Sequence, residues 1–362
     1  MTAPPNVAVI LAGGRGERFW PLSSAGRAKQ FLSLAGSDTL LTRTARRLHP
    51  LVTVDNLLVV TGHDQVGLVH ESLPEILPSQ IVAEPMGRNT APAVALGALW
   101  AERRHPGAML VVVPSDAWVG DDAAYRAALS AGLDRTRTHP ALATIGIVPS
   151  RPETGYGYLE VGSAIDGAAS LFQVNRFVEK PDAATAAAWL AGGRHLWNGG
   201  IFLMPAATLL EAVRRHLPDV AGPLDGLDAA TPKGATGFDA AALLAYYGAV
   251  PSISIDYGVM EKSDNVITVR GAFPWDDLGA WSALERVLPN VDGVTAVGAT
   301  LAIDSPGAIL YADEGLVAAL GLPDVIVVRA GKSVLVVPKS RAQDVRRLVQ
   351  AIEARDDLKG FR

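Results

Sequence analysis

Through the first half of the chain, apolar positions come in short runs separated by longer stretches of helical composition. Residues 7–11, 57–61, 80–82, 109–113 and 143–148 are rich in β-branched side chains and predict strands. Between them, residues 40–48, 91–104 and 123–136 predict helices. This alternation predicts an α/β fold: a mostly parallel, Rossmann-like sheet with helices on both faces. Ligands of such sheets sit at the carboxyl ends of the strands. Two suggestive segments fall there, a glycine-rich run after the first strand and Pro114-Ser115-Asp116 after the fourth.

From Gly155 to Ile267 the pattern is mixed. It has a β-rich piece at 157–161 and 171–178, a helix around Trp189 and a strand at 200–203, and is expected to cover the sheet and receive a second substrate. Leu288-Pro289-Asn290 marks a boundary between a catalytic domain, 1–289, and a C-terminal domain, 290–362. In the latter, short strands over 300–338 are split by Ser305-Pro306-Gly307, Asp313-Glu314-Gly315 and Ala330-Gly331-Lys332. That spacing predicts a small all-β unit of the left-handed β-helix kind. A closing helix carries Val345, Leu348, Val349 and Ile352 on one face. The unit is too short for a second enzyme; its expected use is packing against the catalytic domain or against a second subunit, as in a homodimer.

Bulk properties narrow the function. A chain of 362 residues, 49% apolar and 19% charged, is globular and long enough for two domains. The net charge of −5 and the scattered basic residues give no footprint for nucleic acid or an anionic membrane. Without cysteine there is neither a disulfide framework nor a thiolate nucleophile. The first five residues lack the character of a signal peptide, and no apolar run approaches the ~20 residues of a membrane span. The expectation is a soluble, cytoplasmic protein.

The chemistry starts at Leu11-Ala12-Gly13-Gly14-Arg15-Gly16-Glu17-Arg18. Glycines let a tight turn bring several backbone N–H groups against a polyanion, and two arginines add fork-shaped charge. The spacing is neither that of a dinucleotide fingerprint nor that of a Walker loop, so an ordinary strand-to-helix turn is the competing reading. Trp20-Pro21-Leu22-Ser23 and Lys29-Gln30-Phe31 follow, and Lys29 is a compact cation able to reach a phosphate. Asp116, at a strand end, suits a hard cation such as Mg²⁺, or else caps a turn. Asn89 and Thr90, at a helix start, suit either the edge of a base or an N-cap.

The stretch from Leu11 to Leu34 resembles the signature of sugar-1-phosphate nucleotidyltransferases, and within them that of the mannose-1-phosphate guanylyltransferases. The family pattern has Pro where this chain has Ala28, and Thr or Ser where it has Glu17. The resemblance continues in Glu84-Pro85 with Arg88-Asn89-Thr90, the family's segment near guanine. It continues also in Trp275-Asp276-Asp277-Leu278-Gly279, where the family's metal aspartate aligns with Asp277 and Asp276 is the alternative. Gly155-Tyr156-Gly157, Glu179-Lys180 and Asn198 match segments that line the family's sugar pocket, with Gly199 in place of a usual serine. Asp256 lies in a further block typical of the guanylyltransferases, where it contacts the sugar, orients a cation or caps a helix.

The resemblance implies transfer of GMP from GTP to mannose 1-phosphate, with Mg²⁺ held by Asp116 and Asp277. Arg15, Arg18 and Lys29 would hold the departing pyrophosphate, Lys180 the incoming phosphate, and Glu179 and Asn198 the sugar. The alternatives are another nucleotide and sugar pair, or a non-catalytic nucleotide-sugar sensor on the same fold.

Overall fold

The computed structural model describes residues 4–14, 16–24, 26–34, 36–165 and 169–362, and only the backbone of Glu179. Arg15 lies outside the described residues. A nine-stranded sheet organises the catalytic part. β1 (Asn6–Ala12), β2 (Leu57–Gly62), β3 (Ile81–Glu84) and β4 (Met109–Pro114) run parallel in the order β3-β2-β1-β4. The runs of β1, β2 and β4 are apolar with little alternation because both faces are covered, and Val7 to Ile10 and Leu110 to Val113 are wholly inaccessible; β3, at the edge, alternates. One face packs against the helix Thr90–Arg104, whose first eleven residues are nearly all buried; the other packs against Leu40–Leu48 and Asp122–Thr138.

β5 (Trp118–Val119) leaves this sheet to form a short ribbon. β6 (Leu142–Ile147), β7 (Gly157–Ala164), β8 (Leu171–Glu179), β9 (His195–Pro205) and β10 (Val266–Gly271) complete the large sheet in the order β4-β9-β6-β10-β8-β7. β8 and β9 run against the other seven strands. β9 is thus wedged between β4 and β6, and its pairing with β6 slips register between Asn198 and Phe202. β11 (Trp275–Asp276) pairs with β5 and carries the second half of the chain back across the mouth of the sheet. The helices Ala206–His216, Pro218–Ala230 and Ala240–Ala249 give residues 206–249 more helical structure than the sequence pattern announces.

The C-terminal sheet begins at β12 (Asn290–Val291) and continues as β13 (Val294–Ile303), β14 (Ile309–Leu320), β15 (Val325–Ala330) and β16 (Ser333–Pro338). β13, β14 and β15 stack in parallel, as in a β-helix, and the helix Val345–Glu353 closes the unit. Asp313-Glu314-Gly315 does not separate two strands. β14 runs through it on a bulge, so Tyr311 pairs with Val297 and Leu316 with Ala299.

A single core joins this unit to the catalytic part: Phe19, Trp20, Leu32, Leu34, Trp281 and Leu284 pack with Ile309, Tyr311, Ile326, Val345 and Val349. Each large apolar side chain buried there contributes about 1.5–3 kcal/mol relative to exposure. No helix among the described residues is long and apolar enough to cross a membrane.

Candidate active site

The chain turns from β1 to β2 on one side and reaches β4 on the other, so the sheet changes winding direction beside β1. A crevice opens there at the carboxyl ends of the strands. It holds a cavity of about 400 Å³ bordered by Leu11, Gly13, Gly14, Glu84, Arg88 and Asp116.

The glycine run forms its lip. Gly16 has φ 62, and a Cβ there would lie 2.2 Å from the Lys29 Cβ, so the close return of the chain onto Lys29 requires glycine. At Gly13 a Cβ would meet the Glu84 carboxylate at 2.9 Å. Gln30, to which the sequence assigns no role, pins the loop. Its Nε2 donates to Ala12 O at 2.7 Å, Gly14 O at 3.0 Å and Gln65 Oε1 at 2.8 Å. A buried carboxamide spending its donors on the main chain is positional, and only its place beside Lys29 hinted at it.

Three charged groups meet at the mouth of β1 and β4. Lys29 Nζ lies 2.9 Å from Asp116 Oδ2 and donates to the Asp277 carbonyl at 2.5 Å, and its side chain is only 7% exposed. Asp277 Oδ1 accepts from the Tyr156 hydroxyl at 2.5 Å and from the Gly279 N–H at 3.0 Å. Burial pushes the Asp277 carboxyl up, while Lys29 and Tyr156 pull it back toward the charged form.

Asp276 points the other way. Arg286 grips it with Nε at 2.6 Å and a second nitrogen at 3.1 Å, Leu278 N donates to it, and Arg151 stands 3.7 Å off. Its oxygens are therefore filled, which leaves Asp277 as the aspartate that faces Asp116. Among the described residues no cluster of three or more His, Cys, Asp and Glu is set to hold a metal. Two carboxylates around a buried ammonium nevertheless make a site shaped for a cation, and a hard divalent ion needs few protein oxygens when phosphates supply the rest.

At the other wall Glu84 ends β3 and is 9% exposed. Burial raises its carboxyl to about 7, against the pull of the neighbouring Tyr247 hydroxyl. Arg88 donates from Nε to Tyr247 O at 2.8 Å. Asn89 and Thr90 perform the capping role: Asn89 Oδ1 accepts from Thr90 N–H at 2.9 Å, and Thr90 Oγ1 accepts from Ile255 N–H at 2.9 Å.

Of the segments expected to serve the sugar, Gly200 and Asp256 border the cavity. Asn198 Nδ2 donates to Asp256 Oδ1 at 2.8 Å, and its Oδ1 accepts from Thr144 Oγ1 at 3.0 Å, so these two residues form a braced pair. Gly155 N donates to Glu153, Gly157 opens β7, and Lys180 follows β8 with φ 51. Arg18 is not drawn into the Lys29 cluster: it donates to Gln343 Oε1 of the C-terminal unit at 2.7 Å, and Glu17 pairs with Arg346 at 3.1 Å.

The model of the nucleotidyl transferase family matches residues 7–292, and that of the MannoseP isomerase/GMP-like beta-helix domain matches 298–352. The chain belongs to the nucleotidyl transferase family. It is 37% identical over 350 residues to a mannose-1-phosphate guanylyltransferase of Escherichia coli, covering 95% of this chain and 73% of that one. It is 38% identical, with 96% and 73% covered, to the xanthan biosynthesis protein XanB of Xanthomonas campestris pv. campestris. Within the class, then, it falls among the mannose-1-phosphate guanylyltransferases. A Thermus thermophilus crystal structure described as a mannose-1-phosphate geranyltransferase superposes with a TM-score of 0.88 at 40% identity, covering 96% and 99% of the chains. A Helicobacter pylori mannose-6-phosphate isomerase, 24% identical with a TM-score of 0.60, shares the fold over 75% of this chain and 99% of that one.

Proposed function

We propose that the protein transfers GMP from GTP to α-D-mannose 1-phosphate, forming GDP-mannose and pyrophosphate. One observation carries this beyond the family: a buried carboxylate, Glu84, and a cation cluster, Lys29 with Asp116 and Asp277, stand at two walls of one crevice. Guanine presents two adjacent donors, N1–H and the N2 amino group. A carboxylate accepts both and adenine offers no such pair, so Glu84 is the base-reading group.

A phosphate oxygen of mannose 1-phosphate attacks the α-phosphorus of GTP. The bond from that phosphorus to the oxygen bridging to the β-phosphorus breaks, and pyrophosphate departs. The nucleophile is already an anion near neutral pH, so no general base is needed and positioning with charge neutralisation carries the rate. Asp116 and Asp277 would hold a divalent cation, read here as Mg²⁺, which supplies positive charge to the phosphates. Lys29 and the main-chain N–H groups of the glycine loop hold the leaving pyrophosphate, joined by Arg15 and by Arg18 once it leaves Gln343. Lys180 receives the sugar phosphate. Glu179 and the Asn198–Asp256 pair would take the sugar hydroxyls.

A second copy of the chain is the proposed macromolecular partner. Leu301, Ile303, Leu316 and Leu320 are 50–70% exposed, and the ladder places Ile303 beside Leu320 and Leu316 beside Ala299. That row sets large apolar side chains side by side in water, and a second copy of the same row would cover them.

The test of the activity is pyrophosphate release with four nucleoside triphosphates crossed against mannose, glucose and N-acetylglucosamine 1-phosphates. Release with GTP and mannose 1-phosphate is expected. Preference for another pair would overturn the substrate reading, and silence in every combination would favour a sensor.

A further inference from the structure

Tyr156 lies in the segment assigned to the sugar, yet its hydroxyl is spent elsewhere. The ring is buried edge-on against Trp197 at 5.2 Å and Trp275 at 5.5 Å, which fixes where the hydroxyl can point. It points at Asp277 Oδ1, 2.5 Å away. On its other side a terminal nitrogen of Arg151 donates to the same hydroxyl oxygen at 3.1 Å, and the Arg151 guanidinium lies 4.9 Å from the centre of the Trp197 ring. Arginine has donors only, so the single phenolic proton has one place to go, the aspartate.

With Gly279 N–H also on Oδ1, that oxygen is filled. Asp277 therefore cannot rotate about its carboxyl axis without breaking two hydrogen bonds, and Oδ2 is the oxygen left to face a cation.

We propose that Tyr156, oriented by Arg151, is a positioning residue that aims Asp277 Oδ2 at the divalent cation, rather than a contact of the sugar. The inference rests on the reading of Asp277 as a cation ligand. The same residue ties the cation site to the sugar side, because the Tyr156 carbonyl accepts the Lys180 N–H at 3.2 Å. A shift of that loop on sugar-phosphate binding is thereby passed to the aspartate.

The test is Mn²⁺ binding followed by electron paramagnetic resonance, on enzyme saturated with GDP-mannose and free of pyrophosphate, so that no turnover occurs. Tyr156→Phe keeps the ring packing and removes only the hydroxyl. It is expected to weaken Mn²⁺ about tenfold, in the range found for residues that orient metal ligands, and to lower kcat while leaving KM for GTP within about twofold. Tyr158→Phe is the control, because the Tyr158 hydroxyl donates to the Glu153 carbonyl and does not reach Asp277; its Mn²⁺ affinity should match the wild type.

Mn²⁺ affinity unchanged in Tyr156→Phe but lost in Asp277→Asn overturns the positioning role alone. Unchanged affinity in Asp277→Asn overturns the cation reading and this inference with it. If Tyr156→Phe does not fold, Arg151→Met carries the test: freeing the phenolic proton should weaken Mn²⁺ by about tenfold, and wild-type affinity would sink the proposal.

Discussion

Glu84→Gln separates what the buried carboxylate does for the base from what it costs the fold. In the free protein burial lifts this group from 4.5 to about 7, which disfavours its charged form by about 3 kcal/mol. The unfolded chain ionises near 4.5 and the folded one near 7. The cost is therefore absent below pH 4.5, grows as pH rises between the two values and is complete above 7. Glutamine removes it, so the variant should be more stable than the wild type by up to about 3 kcal/mol at pH 8 and no more stable at pH 4.

Activity should move the opposite way. Glutamine turns one acceptor into a donor facing the guanine N–H groups, losing a charge-assisted bond of about 1.5–3 kcal/mol and roughly 10- to 150-fold in kcat/KM for GTP. If GTP needs the carboxylate, the competent fraction of wild-type enzyme falls from about 0.9 at pH 8 to about 0.1 at pH 6, and KM rises about tenfold. The triphosphate itself titrates nearby, so the comparison is the ratio of wild type to variant across pH. Denaturant unfolding at the two pH values and steady-state kinetics from pH 6 to 8 supply the numbers. A variant that keeps wild-type GTP kinetics with the same pH profile would refute the assignment of Glu84 to the base.

Other outcomes follow from the same geometry. Asp116→Asn and Asp277→Asn should each lower kcat by roughly 10²–10³-fold at saturating substrate, measured by coupled pyrophosphate release; near-normal turnover in both would remove the cation site. Lys29→Met leaves Asp116 and Asp277 without their buried ammonium and should destabilise the metal-free protein by about 1–3 kcal/mol. Millimolar Mg²⁺ should restore part of that loss in thermal unfolding while leaving the wild type nearly unmoved, because without phosphates the Lys29 ammonium already neutralises the two aspartates, and an equal response of the two proteins would contradict that reading. Leu301→Glu with Leu320→Glu should convert a dimer to a monomer in light scattering without changing kcat. A wild type that is monomeric at tens of micromolar would dismiss that interface.

Much of the scaffold was legible because its signals are local. β1 and β4 announce themselves as apolar runs, and the helix Leu40–Leu48 has the bounds its composition predicts; why Gly16 must be glycine was not legible, because its collision with Lys29 exists only in three dimensions. The insertion of β9 between β4 and β6 was not legible, since strand order depends on pairings between residues 50 to 96 positions apart that leave no local periodicity.

Adjacent aspartates posed the same difficulty on a smaller scale. Asp276 ends β11 and turns to Arg286, while Asp277, just past the strand, turns to Tyr156; sequence spacing does not say which of the two an arginine takes. At Asp313-Glu314-Gly315 the turn composition was real, but parallel stacking on both sides turned it into a bulge. Arg18 was read with the phosphate loop, and its partner Gln343 lies 325 positions away, beyond any motif.

The core shared by the two units bears on how the protein can be divided. Trp20 donates from its indole to the Phe361 carbonyl and accepts, through its own carbonyl, from the Trp281 indole. One rivet thus fastens the glycine loop, the segment after Asp277 and the last helical turn of the chain. A catalytic half severed at Asn290 would turn Phe19, Leu34 and Trp281 toward water, and the loop meant to grip a triphosphate would lose the surface it lies on. The C-terminal unit therefore backs the glycine loop, and exchanging it between relatives would mean exchanging residues 17–40 and 278–284 along with it.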